Sequence, residues 1–242
     1  MYDLRRSIAA SDAEIEGALN AALAVEVDGS GPLDQSNTGY VYRISPLYAT
    51  NLLDLILTTA TADSLPLNSL SLNDVMRSLV SEEERPECIQ VILKTFSDQP
   101  FERTSQSPPS NEAYALNQSK LARWYGLRTL STTIGSTTTT NFLKEWKSSL
   151  PPGVDFTPTV EMLKGNYYHP SPTTIHFLPS SELSSVPEDR FAQLFGAKDK
   201  WTMDEILPFL EGCVERGEGW EKKAERECQK WARVRGGLVM KR

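Results

Sequence analysis

The chain has 242 residues, with 25 Lys/Arg against 32 Asp/Glu and a formal net charge of −7. That length suits one large domain or several small ones with real cores, and the acidic balance excludes a uniformly basic nucleic-acid coat. No apolar run approaches the ~18 residues needed to span a bilayer, so no membrane partner is expected; Cys88, Cys213 and Cys228, widely spaced and without Cys-x-x-Cys, fit reduced intracellular thiols.

Residues 4–8 read as helix, and Ser11-Asp12 with Glu14 opens a second helix over 12–27 that carries Ile15, Ala18, Leu19, Ala22 and Leu23. The chain starts abruptly inside this helical pattern with no apolar signal segment, as expected of a fragment of something longer. A loop over 29–39 leads to a short strand at 40–44. Helices follow over 46–60 and 72–79, and Ser81-Glu82 opens another with Ile89, Ile92 and Leu93. The acidic run Glu82-Glu83-Glu84 falls in its first turn, where negative charge complements the helix dipole. Residues 97–111 form a polar, proline-containing linker, with Ser107-Pro108 as a candidate phosphorylation site, before a strand-like 113–116.

The pattern recurs, with a helix over 119–130 and a low-complexity linker over 131–140. Asn141 is then the cap of a helix carrying Phe142, Leu143 and Trp146. Thr157-Pro158 starts a helix with Val160, Met162 and Leu163, and 174–178 is a strand. In the last stretch, Phe191, Leu194 and Phe195 share one helical face. Thr202 caps a helix with Glu205 at capping-box spacing, and Pro208 is awkward for a straight continuation. Gly219-Trp220 begins the final helix, and Gly236-Gly237 breaks into Leu238-Val239-Met240.

Helix, turn, helix and strand hairpin, repeated along the chain, is the plan of tandem winged-helix units. The fold class is therefore mainly α with short β hairpins. The expected units are 1–45, 46–117, 118–180 and 187–242. The first lacks an opening helix before Asp3 and is either incomplete or shares one with a neighbour. A mixed α/β single domain is disfavoured because strands are few and no long apolar strand run suits a parallel sheet.

Chemistry is sparse. His169 and His176 have no Cys, Asp or Glu at metal-ligand spacing, and no phosphate-binding or nucleophile-elbow motif occurs. An enzyme is not expected, nor any cofactor or metal. Charge is uneven instead: the last 29 residues carry nine Lys/Arg against five Asp/Glu, a net +4 that leaves −11 for residues 1–213. In the final helix Trp220, Ala224, Cys228, Trp231 and Val234 form one apolar stripe. Arg226, Lys230, Arg233 and Arg235, with Lys241 and Arg242 in the following wing, are the candidate partner- or DNA-binding residues. The earlier equivalents are acidic, over 12–27 and 81–96, and suit protein docking or spacing.

The ordered set Arg190-Phe191, Leu194-Phe195, Lys200-Trp201-Thr202 and Ile206-x-Pro208-Phe209 resembles the C-terminal signature of the Dcc family. Support comes from Phe142-x-x-x-Trp146 with Leu150-Pro151-x-Gly153, from Met162-Leu163-Lys164-Gly165, and from Ile8-x-Ala10-Ser11 with Glu14-Ile15. The family is the sister-chromatid-cohesion subunit of an alternative, RFC-like clamp loader. The resemblance implies three winged-helix domains in tandem and a nuclear, non-catalytic adaptor. It would dock the loader onto the catalytic part of DNA polymerase epsilon, bind DNA weakly without sequence preference, and support PCNA loading and cohesion. An N-terminal half, which joins the other clamp-loader subunits, looks to be absent. The alternatives are a DNA-binding winged-helix regulator and a cullin- or proteasome-lid-like scaffold.

Overall fold

The structure, a computed structural model, describes residues 24–27, 40–79, 85–98, 113–211, 213–214 and 219–242. Among these the chain is mainly helical with four small antiparallel sheets. It divides into two compact units. One comprises the described residues up to Leu121 with Pro151–Asp155, and the other Ala122–Leu150 with Phe156–Arg242.

In the first unit, strands β1 (Ala24–Val27) and β2 (Tyr40–Arg43) pair antiparallel, Ala24 opposite Arg43. This corrects the helix expected over 12–27 at its end. The Ala-Val-Glu-Val sequence is rich in β-branched residues and finds a partner strand, which outweighs the helical spacing before it. Residues 12–23 lie outside the described residues, as do 4–8 and 29–39. Helix α1 (Pro46–Ala62) starts with Pro at its first position and Ser45 as cap, the Ser45 hydroxyl accepting from the Tyr48 N–H at 3.2 Å. Leu52, Leu53, Ile56 and Leu57 are fully buried, each worth ~1.5–3 kcal/mol relative to exposure.

After α1 come β3 (Leu70–Ser71), α2 (Leu72–Ser78), α3 (Pro86–Phe96) and β4 (Ala113–Tyr114). Helix α3 begins at Pro86 rather than Ser81, because Pro both fixes the first helical φ and holds the preceding Arg85 extended. The acidic run Glu82-Glu83-Glu84 lies outside the described residues, leaving Glu87 as the acid of the first turn. Leu70 pairs with Tyr114, and Ser97 bridges to Leu116, so segment 113–116 runs between its two partners.

The second unit contains α4 from Ala122 onward (the helix runs Gln118–Thr132), then β5 (Ser136–Thr138), α5 (Thr139–Ser149), a 3-10 turn (Val160–Leu163), β6 (Tyr167–Tyr168) and β7 (Thr174–Phe177). The stretch 131–140, expected to be a linker, is structured throughout most of its length. Ser136, Thr137 and Thr138 pair with His176, Ile175 and Thr174, and Thr138, not Asn141, caps α5 by accepting from the Asn141 N–H. A run of Thr is a good strand once a partner strand exists. The helix expected from Thr157 shrinks to one 3-10 turn that begins after Thr159, whose side chain makes no capping hydrogen bond, and stops before Gly165, whose φ is +82°.

The chain ends with α6 (Pro187–Ala197), β8 (Lys200–Thr202), α7 (Met203–Ile206), a 3-10 turn (Leu207–Leu210), α8 (Trp220–Trp231), β9 (Ala232–Arg235) and β10 (Leu238–Lys241). Phe191, Leu194 and Phe195 are buried together with Trp201, Phe209, Ala224, Cys228 and Val239 in one core cluster. Pro208 is where α7 gives way to the 3-10 turn. Thr202 caps α7 through the Glu205 N–H, but the Glu205 carboxylate does not reach back to complete a capping box; it accepts from Lys198 and from the His169 N–H instead.

One order of elements therefore recurs: helix, strand, helix, then a helix or 3-10 turn, closing on two strands in the second and third occurrences and on β4 alone in the first. In the two complete three-stranded sheets, β5-β7-β6 and β8-β10-β9, the last strand in sequence lies in the middle.

Candidate interaction surface

Helix α8 is preceded by Gly219, whose φ of +74° is left-handed and open to Gly at little cost. Ala224 and Cys228 are fully buried, and Trp220 and Trp231 lie half-buried against the same core. The apolar stripe expected from the sequence is thus real as far as Trp231. Val234 is not its continuation, because the helix ends at Trp231 and Val234 belongs to β9.

The exposed side of α8 is divided by charge. Lys222, Arg226 and Lys230 recur every fourth residue and so form one row, with Lys223 beside it; Glu221 and Glu225 form the flank beyond. Within the row, Lys230 is held by Glu227, Nζ to Oε2 at 2.7 Å. Glu227 also accepts from the Trp231 Nε1–H at 2.8 Å. The Lys230 hydrogen bond is the main reason its carboxyl sits below the usual carboxylate range. Arg226, Lys222 and Lys223 make no ion pair with any described residue.

The remaining expected residues sit elsewhere. Arg233 and Arg235 are on strand β9, not on the helix, exposed on the outer face of the sheet opposite Met240 and Leu238. Lys241 ends β10 opposite Ala232, and the Arg242 guanidinium donates to the Gln229 carbonyl at 2.9 Å. The core cluster, with Ala224 and Cys228 from the helix and Trp201 and Val239 from the sheet, lies between the helical row and the sheet face. Arg226 with Lys230 and Arg233 with Arg235 therefore lie on two surfaces rather than one, and Lys241 is out of step with the outer-face residues of its strand. Lys222 and Lys223 were legible as the preceding turn of the Arg226 row; Lys200 joins the sheet face only through the register with Met240.

A cleft of about 450 Å³ in the second unit is lined by Lys164, Tyr167, His169, Lys198, Glu205 and Pro208 among others. Of the two acids that line it, Asp204 and Glu205, the latter is engaged: it accepts from Lys198 at 2.7 Å and from the His169 N–H at 3.1 Å. The His169 Nδ1 lies 2.8 Å from the Thr174 carbonyl, and the Tyr167 phenol is pushed up to about 12, first by burial and then by Glu161 and Glu205. His176 Nδ1 is 3.0 Å from the Ser136 hydroxyl. No group of three or more His, Cys, Asp or Glu that could hold a metal ion occurs among the described residues. Nor, among them, is any helix long and apolar enough to cross a membrane.

Residues 1–210 match the family model for Sister chromatid cohesion protein Dcc1. The chain belongs to the Dcc1 family. The match takes in the whole of the Arg190–Phe209 signature and stops short of α8 and the final hairpin. Among its relatives, the sister chromatid cohesion protein DCC1 of Saccharomyces cerevisiae is 28% identical over 187 residues, 74% of this chain and 48% of the yeast protein. The zebrafish (Danio rerio) DCC1 is 25% identical over 218 residues, 87% of this chain and 50% of the relative. A probable DCC1 of Dictyostelium discoideum is 29% identical over 89 residues, 34% of this chain and 23% of the relative. The chain thus spans about half the length of the yeast and zebrafish proteins.

Proposed function

We propose that this Dcc1-family chain is a non-catalytic, nuclear adaptor that attaches an alternative clamp loader to the catalytic region of DNA polymerase epsilon, supporting PCNA loading and sister-chromatid cohesion. The observation that carries the reading is the family match over residues 1–210. The recurring order of elements, with the last strand in the middle of each three-stranded sheet, supports a tandem array of winged helices over 46–117, 118–180 and 187–242. The other clamp-loader subunits would join through the half of the relatives that this chain does not span.

DNA binding in this reading is weak and independent of sequence. Helix α8 takes the place of a recognition helix, and its row of Lys222, Arg226 and Lys230 offers charge to phosphates. Base reading would want a cluster of Arg, Asn and Gln; that side of α8 offers mainly lysine, with Glu221 and Glu225 alongside to repel the backbone. The reading is tested by direct binding of this chain to the isolated polymerase catalytic region. Tight, sequence-selective duplex binding without polymerase binding would favour a DNA-binding regulator.

A further inference from the structure

We propose that the outer face of the sheet β8-β10-β9 docks an acidic protein segment that presents an apolar side chain among its carboxylates. The register puts six side chains on this face in two rows: Lys200, Met240 and Arg233, then Thr202, Leu238 and Arg235. Trp201, Val239 and Val234 turn the other way, into or against the core cluster. Five of the six are exposed and Met240 is half-buried; Leu238 is 39% exposed, which marks it among the large hydrophobic side chains.

Neighbouring strands lie ~4.8 Å apart and alternate residues of one strand ~6.8 Å apart, so the three cations bracket Leu238 and Met240 at separations of roughly 7–12 Å. None of these six side chains is an acid, and none of Lys200, Arg233 and Arg235 is in an ion pair with a described residue. Unpaired cations around exposed aliphatic groups complement carboxylates around an aliphatic anchor. Charge complementarity thus selects an acidic segment, and Leu238 with Met240 selects one that carries an apolar residue. A phosphate backbone would satisfy the cations but offer nothing to these two side chains, and no aromatic ring on the face is placed to stack a base. The α8 row, on the other side of the core and without an apolar centre, suits phosphate better. The docking face stands independently of the polymerase reading.

The test uses the full chain and a short fluorescein-labelled Glu/Asp peptide with one central Leu, read by fluorescence anisotropy. The same peptide with Ser for Leu and a short DNA duplex serve as comparisons. Combining Lys200→Glu, Arg233→Glu and Arg235→Glu should weaken peptide binding about tenfold or more, while Lys222→Glu with Arg226→Glu should change it less than about twofold. Leu238→Ser, and the peptide lacking Leu, should each weaken it a few-fold. Thermal melts check the fold, and the single variants Arg233→Gln and Leu238→Ser carry the comparison if the triple variant does not fold. Lack of saturable peptide binding, equal loss in the α8 variant, or indifference to the Leu overturns the proposal. A sheet variant that loses the duplex but keeps the peptide also overturns it, and makes the face a nucleic-acid surface.

Discussion

The Nε–H of Arg190 donates to the carbonyl of Phe209, nineteen residues further along the chain. The rest of the guanidinium donates to the carbonyls of Leu183, Ser184, Ser180 and Glu211. Arg190 is 2% exposed, so a nearly buried cation is held by backbone oxygens drawn from two segments. Burial lowers its pKa, yet a guanidinium starts so high that it stays charged. The planar fork staples 180–184 to 209–211 beneath the core cluster.

Arg190→Leu should therefore cost roughly 2–5 kcal/mol, since each buried acceptor left without a donor costs ~1–3 kcal/mol and water can replace only some. Arg190→Lys should rescue little, because an ammonium cannot reach both segments as the fork does. Urea unfolding of the three proteins checks this; a wild-type midpoint for the lysine variant would show that charge alone suffices.

Gly126 on α4 faces the Trp146 ring. A Cβ there would fall on Cε2 and Cζ2 and 2.8 Å from Nε1, whose N–H donates to the Ala122 carbonyl at 2.8 Å. Alanine gains about 1 kcal/mol of helix propensity, but overpacking against a fully buried ring costs typically 1–3 kcal/mol or more. Gly126→Ala is expected to lower the thermal midpoint, and combining it with Trp146→Phe should recover part of the loss. A raised midpoint for the single variant would contradict this packing.

The Glu227 carboxyl has a depressed pKa, chiefly from the Lys230 hydrogen bond, with Trp231 adding and partial burial opposing. A depressed folded value means stability that is present above the unfolded value of ~4.3 and lost as pH falls through the folded one. Glu227→Gln should flatten the stability profile below about pH 4.3. Identical slopes for both proteins in acid would show that the pair does not contribute.

Salt dependence separates the row on α8 from a diffuse field. Lys222, Lys223 and Arg226 make no ion pair with a described residue and Lys230 is shared with Glu227, so about three counted charges at ~0.9 each predict a log–log slope near 3 on duplex DNA. Arg226→Glu should reduce that slope by about 1 while moving stability by only ~0–1 kcal/mol. An unchanged slope would take Arg226 out of the contact.

Local patterns were readable where the partner lies a few residues away. The Phe191, Leu194, Phe195 face and the Thr202 cap are built as their spacing implies. Features that depend on distant segments were not. The run from Ser136 to Thr138 is a strand only because Thr174 to His176 comes alongside, and Val234 leaves the helical stripe because Val239 pairs with it. Arg190 stood in the signature, but nothing in side-chain chemistry marks a cation whose partners are all backbone carbonyls. The charged row was half legible: Arg226 and Lys230 share a helix face, whereas Arg233 and Arg235 belong to a sheet face that only the strand register reveals. That register also turns Trp201 inward, where it is fully buried in the core cluster while Trp231 is only partly buried against it.

The most direct measurement is size-exclusion chromatography with light scattering of this chain mixed with the isolated catalytic region of DNA polymerase epsilon at micromolar concentration. A joint peak whose mass exceeds that of either protein, without any other loader subunit, is the expected result. Separate elution, with both proteins shown to be folded, would contradict it.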